Sequence, residues 1–248
     1  MIRLRLLLLA LSLGGCVSQK QVRQSNARTD LGTAYLREGN PPGAVLELRK
    51  ATEFNPLNAL AWERLGLAYM ASNAFAPAEI AFKKAVRLAS EDHGRVHYNF
   101  GMLLIRMERY QDATVEFEAT LSDLTYRTPS QALNSLGFAL YRQGRHDEAI
   151  TRLTDAIQRS PKFCQARFNR GLAFQAKKKH QSALNDFEAV IQTCGDVASG
   201  AYLHAAPALF ALDQQEAGCD YLVTAQKAAP NTDLSREAAR LHAEKCPL

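Results

Sequence analysis

The chain has 248 residues, of which 47% are hydrophobic and 22% charged. These fractions are ordinary for a globular protein, and they exclude a disordered, collagen-like or polytopic membrane protein. The formal net charge is only +5, and the basic residues form no stripe, so we predict no nucleic-acid partner.

The first sixteen residues predict export. Two arginines precede an apolar stretch over residues 6–13, which is far shorter than the roughly 20 residues of a membrane-spanning helix. This stretch fits the core of a signal peptide. It ends in Gly14-Gly15-Cys16, a pattern that resembles the bacterial lipobox. The alternative is a plain secretory signal followed by a chance cysteine.

The lipobox assignment predicts how the mature protein is anchored. Residues 1–15 would be the lipoprotein signal peptide, Cys16 would carry lipid, and residues 16–24 would form a lipidated polar tether. Two or more acyl chains make a stable anchor. Val17 follows the cysteine, whereas an Asp at that position commonly retains a lipoprotein in the inner membrane. We therefore expect attachment to the outer membrane, on its periplasmic face.

The rest of the chain shows a repeat of 34 to 36 residues, which is typical of a tetratricopeptide repeat (TPR). Glycines recur at Gly32, Gly66, Gly101, Gly137 and Gly171. Twelve residues after each glycine stands Ala44, Ala78, Ala113, Ala149 or Ala183. Four residues further on stands Leu48, Phe82, Phe117, Leu153 or Phe187. Such small and large residues in register predict paired antiparallel helices that pack closely.

This register divides the chain into six repeats. They are placed at 25–58, 59–92, 94–127, 130–163, 164–197 and 198–231. The sixth is the weakest, with Ala205 at the glycine position and then Ala217 and Tyr221. Residues 232–248 are predicted to be a capping helix and tail, because solenoids need a solvated end. The predicted fold is all-α, a right-handed TPR superhelix of about six helix-turn-helix repeats with a C-terminal capping helix.

Within a repeat, Gly66 and Ala78 would let the two helices approach, and Phe82 would fill the space towards the next pair. Asn40-Pro41 would begin the second helix of the first repeat, with Asn40 as its cap.

Four cysteines remain after Cys16: Cys164, Cys194, Cys219 and Cys246. An even number in an exported protein suggests disulfides. The register brings Cys164 and Cys194 to neighbouring helix ends, which would leave Cys219 to pair with Cys246. The alternative is four free thiols.

No catalytic or cofactor motif is recognised, so we predict neither an enzyme nor a cofactor, a metal site or a small-molecule substrate. His93 and His97 are four residues apart, but a metal site would need further ligands. We interpret both as solvated histidines at a repeat junction.

The first helices of the repeats predict a groove that binds a protein partner. Their inward positions hold mostly apolar residues: Leu67, Met70, Met102, Ile105, Phe138, Tyr141 and Leu172. Nearby amides could hydrogen-bond an extended peptide; these are Asn99, Asn134 and Asn169. The alternative is that several of these side chains pack against neighbouring helices.

A lipobox followed by about six TPRs resembles the type IV pilus pilotin family. Two stretches strengthen the resemblance: the Asn-aromatic-Gly sequence at residues 99–101, and the junction from Tyr126 to Gly137. The resemblance implies an outer-membrane lipoprotein that binds secretin subunits. Such a protein promotes their localisation and multimerisation, and thereby pilus biogenesis and twitching or social gliding motility. The alternatives are a periplasmic TPR scaffold for cell-wall hydrolases or outer-membrane protein assembly, and an enzyme with a divergent site.

Overall fold

The computed structural model describes residues 17–90 and 93–246, and at residues 196 and 197 the backbone only. The signal peptide of residues 1–15 and the lipidated Cys16 therefore lie outside the described residues. The described part of the chain forms thirteen α-helices and no strand. The predicted all-α class with helix-turn-helix repeats is confirmed. The chain divides into two compact units, Met1–Leu88 and Ala89–Leu248, which we describe in turn.

The first unit contains two helix hairpins. Its helices are α1 (Gln19–Arg37), α2 (Pro41–Phe54), α3 (Ala59–Ala71) and α4 (Phe75–Leu88). The predicted start of α2 is confirmed, because the Asn40 side chain accepts a hydrogen bond from the Gly43 backbone N–H at 3.0 Å. Pro41 occupies the first turn, where its missing N–H leaves no helical hydrogen bond unmade.

The start of α1 corrects the predicted tether. The Ser18 hydroxyl accepts from the Gln21 backbone N–H at 3.3 Å, and the Gln21 side chain accepts from the Ser18 backbone N–H at 2.9 Å. This capping box satisfies two donors at the helix end. Residues 19–24 are therefore the first turns of α1 rather than a tether, although their polar sequence shows no helical stripe.

The second unit continues the hairpins and adds a final helix. Its helices are α5 (His93–Arg106), α6 (Tyr110–Ser122), α7 (Pro129–Arg142), α8 (His146–Arg159), α9 (Cys164–Ala176), α10 (His180–Thr193), α11 (Gly195–Ala211), α12 (Gln215–Ala228) and α13 (Asp233–Lys245). In α13, Ala238 is buried, and Leu234 and Leu241 pack against the cluster that holds Leu222.

Each glycine of the repeat faces the large apolar residue of its own hairpin. The pairs are Gly32 with Leu48, Gly66 with Phe82, Gly101 with Phe117, Gly137 with Leu153, and Gly171 with Phe187. That Phe82 also fills the space towards the next hairpin stays a prediction, since these pairs describe contacts within one hairpin. Its ring lies over Gly66, where the missing Cβ leaves room for it.

The turn inside each hairpin fixes the register of the sixth repeat. Seven residues after each repeat glycine, the backbone takes a left-handed conformation with positive φ, at Gly39, Asn73, Glu108, Gly144 and Lys178. The next residue with positive φ is Asp213. The same seven-residue spacing therefore places the glycine position of the sixth repeat at residue 206.

The predicted register with Ala205 is therefore corrected by one position. Twelve, sixteen and nineteen residues after Ala206 stand Gly218, Leu222 and Ala225, and all are buried. Ala205 is buried as well, so burial at that position alone could not separate the two registers.

Two disulfides close loops in the second unit. Cys164 at the start of α9 is bonded to Cys194 after α10, with their Cα atoms 6.0 Å apart. Cys219 of α12 is bonded to Cys246 after α13, with a Cα separation of 5.8 Å. This is the pairing that the repeat register favours.

Candidate partner-binding surfaces

The groove residues predicted in the first unit lie on α3. Leu67 and Met70 are three residues apart, so they share one face of the helix. Both are half-buried, which leaves part of each side chain accessible. Their role in binding stays a prediction.

The first unit also has an apolar cavity that sequence reasoning missed. It measures about 180 Å³, lies between α2, α3 and α4, and is lined by Arg49, Trp62, Tyr69 and Ile80 among others. Trp62 is oriented by a hydrogen bond from its Nε1 to the Pro56 carbonyl at 2.9 Å. The predicted groove positions all lie on the first helix of a hairpin, whereas Arg49 and Ile80 lie on second helices.

Exposed aliphatic side chains are frequent in this unit. Ile80 at the cavity is 67% exposed. The other large apolar residues exposed here are Leu31, Leu46, Leu57 and Leu60. Exposed apolar surface at a cavity marks a candidate site of protein interaction, so the cavity with Ile80 at its edge is a candidate binding surface.

In the second unit, the predicted groove residues lie on α5, α7 and α9. Most are half-buried: Asn99, Met102, Ile105, Asn134, Phe138, Tyr141 and Leu172. Successive helices touch through these residues, for example where the Ser135 hydroxyl donates to Met102 Sδ at 3.7 Å. The predicted groove residues of α5 and those of α7 thus lie in neighbouring hairpins.

The structure corrects the prediction for Asn169. Its Nδ2 donates to Asn134 Oδ1 at 2.9 Å, and its Oδ1 accepts from Gln165 Nε2 at 3.1 Å. Asn169 is only 4% exposed. Its amide therefore ties α9 to α7 and is not offered to a peptide.

Leu172 also contributes mainly to packing. It lies against the buried cluster that includes Phe187 and Leu209. The alternative considered for the groove, packing between helices, thus holds for this residue. The two aromatic residues among the predicted groove residues of this unit, Phe138 and Tyr141, both lie on α7.

An aromatic and cationic cluster surrounds Phe138. The Phe138 ring makes an edge contact with Tyr110, with centroids 6.4 Å apart. The Arg142 guanidinium lies over the Tyr110 ring at 4.5 Å. Tyr141 stands beside His146 at 5.6 Å between ring centroids. Tyr110 and Arg142 were missed because they lie outside the two inward positions considered.

A second cavity, of about 430 Å³, lies beside the connection between α6 and α7 and is lined by Arg95, Asp123, Tyr126 and Arg127 among others. Hydrogen bonds from the Thr125 hydroxyl and from the backbone N–H groups of Gly94 and Thr125 lower the pKa of Asp123. Burial raises the pKa of Tyr126. The Asp123 carboxylate thus anchors this connection to the start of α5.

Of the two histidines at the start of α5, His93 is partly exposed, whereas His97 is not solvated as predicted. His97 is 8% exposed. Its Nδ1 lies 2.6 Å from Glu116 Oε2, and its Nε2 lies 2.9 Å from His93 Nε2. Glu116 lies on α6, nineteen positions away in sequence, so no local pattern could have revealed it.

Two further findings concern the described part of the chain. None of its helices is both long and apolar enough to cross a bilayer. Nor does it hold a group of three or more His, Cys, Asp or Glu side chains arranged to hold a metal ion.

Comparison with known proteins gives a family and several relatives. The family model for the tetratricopeptide repeat matches residues 29–93, 98–162 and 134–199. These residues together make up more than half of the chain. The type IV pilus assembly protein PilF of Pseudomonas aeruginosa is 31% identical over 141 residues, or 52% of this chain and 55% of PilF. The match thus spans about half the length of that relative.

Two solved structures share the fold. PilW, described as a widely conserved type IV pilus biogenesis factor, superposes with a TM-score of 0.77 at 22% identity, covering 87% of this chain and 98% of PilW. Pseudomonas aeruginosa PilF superposes with a TM-score of 0.76 at 20% identity, covering 92% of this chain and all of the PilF chain.

Proposed function

The chain belongs to the tetratricopeptide repeat family, and on this premise we propose that it acts as a pilotin of a type IV pilus. Tetratricopeptide repeats mediate protein–protein interactions, and scaffolds built from them are generally not enzymes. The observation that carries the proposal is the similarity to PilF in sequence and to PilF and PilW in fold. The proposed partners are subunits of the secretin, the outer-membrane pore through which the pilus emerges.

The first part of the proposed mechanism is the anchor. Lipid on Cys16 attaches the protein to the outer membrane, on the periplasmic side. Only Val17 and Ser18 lie between Cys16 and α1, which begins at Gln19, so this short segment holds the repeats close to the membrane. The lipid thus determines the membrane to which the protein is attached, and the repeats bind the secretin subunits.

The second part is capture of a secretin segment by apolar surface. In the first unit the candidate surface is the cavity of Trp62, Tyr69 and Ile80. In the second unit it is the face of Phe138 and Tyr141, which carries aromatic area with the cation Arg142 beside it. Holding several subunits at one membrane raises their local concentration and so favours oligomer assembly.

The decisive experiment is a blot for heat-resistant secretin multimers in outer membranes. It compares the wild type, a deletion strain and Cys16→Ala. We expect multimers to vanish in the deletion strain and to be lost or stranded in the inner membrane in Cys16→Ala. Normal multimers in all three strains would contradict the pilotin role and favour a scaffold for cell-wall hydrolases or outer-membrane protein assembly.

Point variants then locate the binding surface. Ile80→Glu places a charge at the cavity, and Val115→Glu is its matched control. Both residues stand two positions after the repeat alanine, and they are 67% and 60% exposed. We expect loss of secretin binding in Ile80→Glu only. Equal binding by both variants would remove the cavity from the mechanism.

A second set tests the predicted groove with Leu67→Glu, Phe138→Glu and Tyr141→Glu. Circular dichroism checks that each variant remains folded. If all three bind secretin like the wild type, these predicted groove positions are not the site.

A further inference from the structure

Two histidines of α5 bring their Nε2 atoms together. His93 and His97 lie one helical turn apart, and the two nitrogens are 2.9 Å from each other. Histidines at this spacing share one face of a helix and are a known arrangement for binding zinc. His93 is half-exposed whereas His97 is buried, so the pair is open to solvent on the His93 side.

Glu116 of α6 fixes the protonation of His97. Its Oε2 lies 2.6 Å from His97 Nδ1, so the Nδ1–H donates to the carboxylate. The lone pair of Nε2 is then left pointing towards His93. A carboxylate that accepts the second N–H of a histidine is the usual outer partner of a metal-bound imidazole, because it orients the ring and raises its basicity.

The two rings are inclined to each other at close range. Their centroids are 4.1 Å apart and their planes are tilted by 59°. Two rings meeting head-on at this nitrogen separation would set their centroids farther apart than 4.1 Å, so the rings lean away from the line that joins the nitrogens.

The distance between the nitrogens indicates the class of metal. With metal–nitrogen bonds of about 2.0–2.1 Å, two nitrogens 2.9 Å apart subtend close to a right angle at the ion. A right angle between nitrogen ligands fits the tetragonal geometry of copper(II) or nickel(II) better than the tetrahedral geometry of zinc.

We propose that His93 and His97 bind one divalent transition-metal ion of the copper(II) or nickel(II) class through their Nε2 atoms, with Glu116 as a positioning residue. When the ion binds, the proton between the two nitrogens leaves His93 Nε2 and His93 is protonated on Nδ1 instead, so both imidazoles stay neutral and each Nε2 offers a lone pair to the ion. Among the described residues no third His, Cys, Asp or Glu completes the site. The site lies within the second unit and does not depend on the pilus role.

Copper(II) titration of the full untagged chain in detergent tests this site. Electron paramagnetic resonance at about pH 7.5 should show one tightly bound ion with an axial spectrum split by two nitrogens. His93→Gln removes one ligand from a half-exposed position, where folding is not at risk. We expect binding at least about tenfold weaker, a loss as large as that for a supporting residue, and a changed nitrogen pattern.

The control is His242→Gln, which removes a half-buried histidine of α13 and should bind copper(II) like the wild type. The proposal is overturned if the wild type binds no copper(II), or if His93→Gln keeps the wild-type affinity and spectrum. Glu116→Gln keeps the size of the side chain and should weaken binding about 10- to 100-fold. Unchanged binding by this variant would remove Glu116 from the site.

Discussion

The ring of Phe82 lies directly over the backbone of Gly66, so close that a Cβ at residue 66 would stand 2.9 Å from two ring carbons. Phe82 is fully buried, so its ring is held among other side chains. The glycine is therefore required by the packing of α3 against α4. The same close approach recurs in four other hairpins, at Gly32, Gly101, Gly137 and Gly171.

Gly66→Ala should destabilise the protein, because the added methyl group overlaps the Phe82 ring. We expect the free energy of unfolding to fall by about 1–3 kcal/mol, the usual cost of overpacking, in denaturant unfolding monitored by circular dichroism. Gly195→Ala is the control, since a Cβ there meets nothing within 4 Å. Partial recovery in Gly66→Ala/Phe82→Leu would assign the loss to this contact, and equal stability of both single variants would contradict it.

Glu108→Gly should stabilise the protein. Glu108 has φ 58° in the turn between α5 and α6, and a left-handed conformation costs a residue with a Cβ about 1–2 kcal/mol. After the larger chain entropy of glycine is offset, we expect a gain of about 0.5–1 kcal/mol in thermal or denaturant unfolding. The reverse change in the equivalent turn, Gly144→Ala, should destabilise. A loss of stability in Glu108→Gly would show that the turn is not strained.

His204 should make the stability of the second unit sensitive to acid. Burial lowers its pKa, and its ring contacts Phe168 and Phe187 with centroid separations of 5.4 and 6.0 Å. The folded state thus favours the neutral ring, whereas the unfolded chain takes up a proton near pH 6.5. The contribution of His204 is present above that pH and is lost as the pH falls through the folded pKa.

His204→Phe should therefore lose less stability than the wild type when the pH is lowered from about 7.5 to 5. Denaturant unfolding at both pH values measures this difference. His242→Gln serves as the control and should behave like the wild type. An identical pH dependence in the wild type and His204→Phe would show that His204 does not govern it.

Loss of the Cys164–Cys194 disulfide should lower the stability of the fifth repeat. The bond joins residues 30 positions apart, and closing a loop of this length stabilises a folded protein by about 3–4 kcal/mol. The double variant Cys164→Ser/Cys194→Ser should therefore show a lower melting temperature than the oxidised wild type. A melting temperature that neither this variant nor a reducing agent changes would mean that the bond contributes nothing.

The sequence determined the repeat and most of its helices, because the physical requirements of the repeat are local. Gly66, Ala78 and Phe82 stand at spacings that place them on facing sides of two helices. Asn40 and Pro41 act on the turn in which they lie. Periodicity and helix caps can be read in such short windows, so the hairpins could be predicted without coordinates.

Only the tertiary structure decided the details that depend on contacts between distant residues. The register of the sixth repeat was settled by the turn at Asp213, because Ala205 and Ala206 are both small and both buried. Asn169 looked like a groove residue until its hydrogen bond to Asn134 of the preceding hairpin was seen. Glu116 meets His97 from another helix. A helical pattern states which face of a helix a residue occupies, but burial and hydrogen bonding depend on what packs against that face.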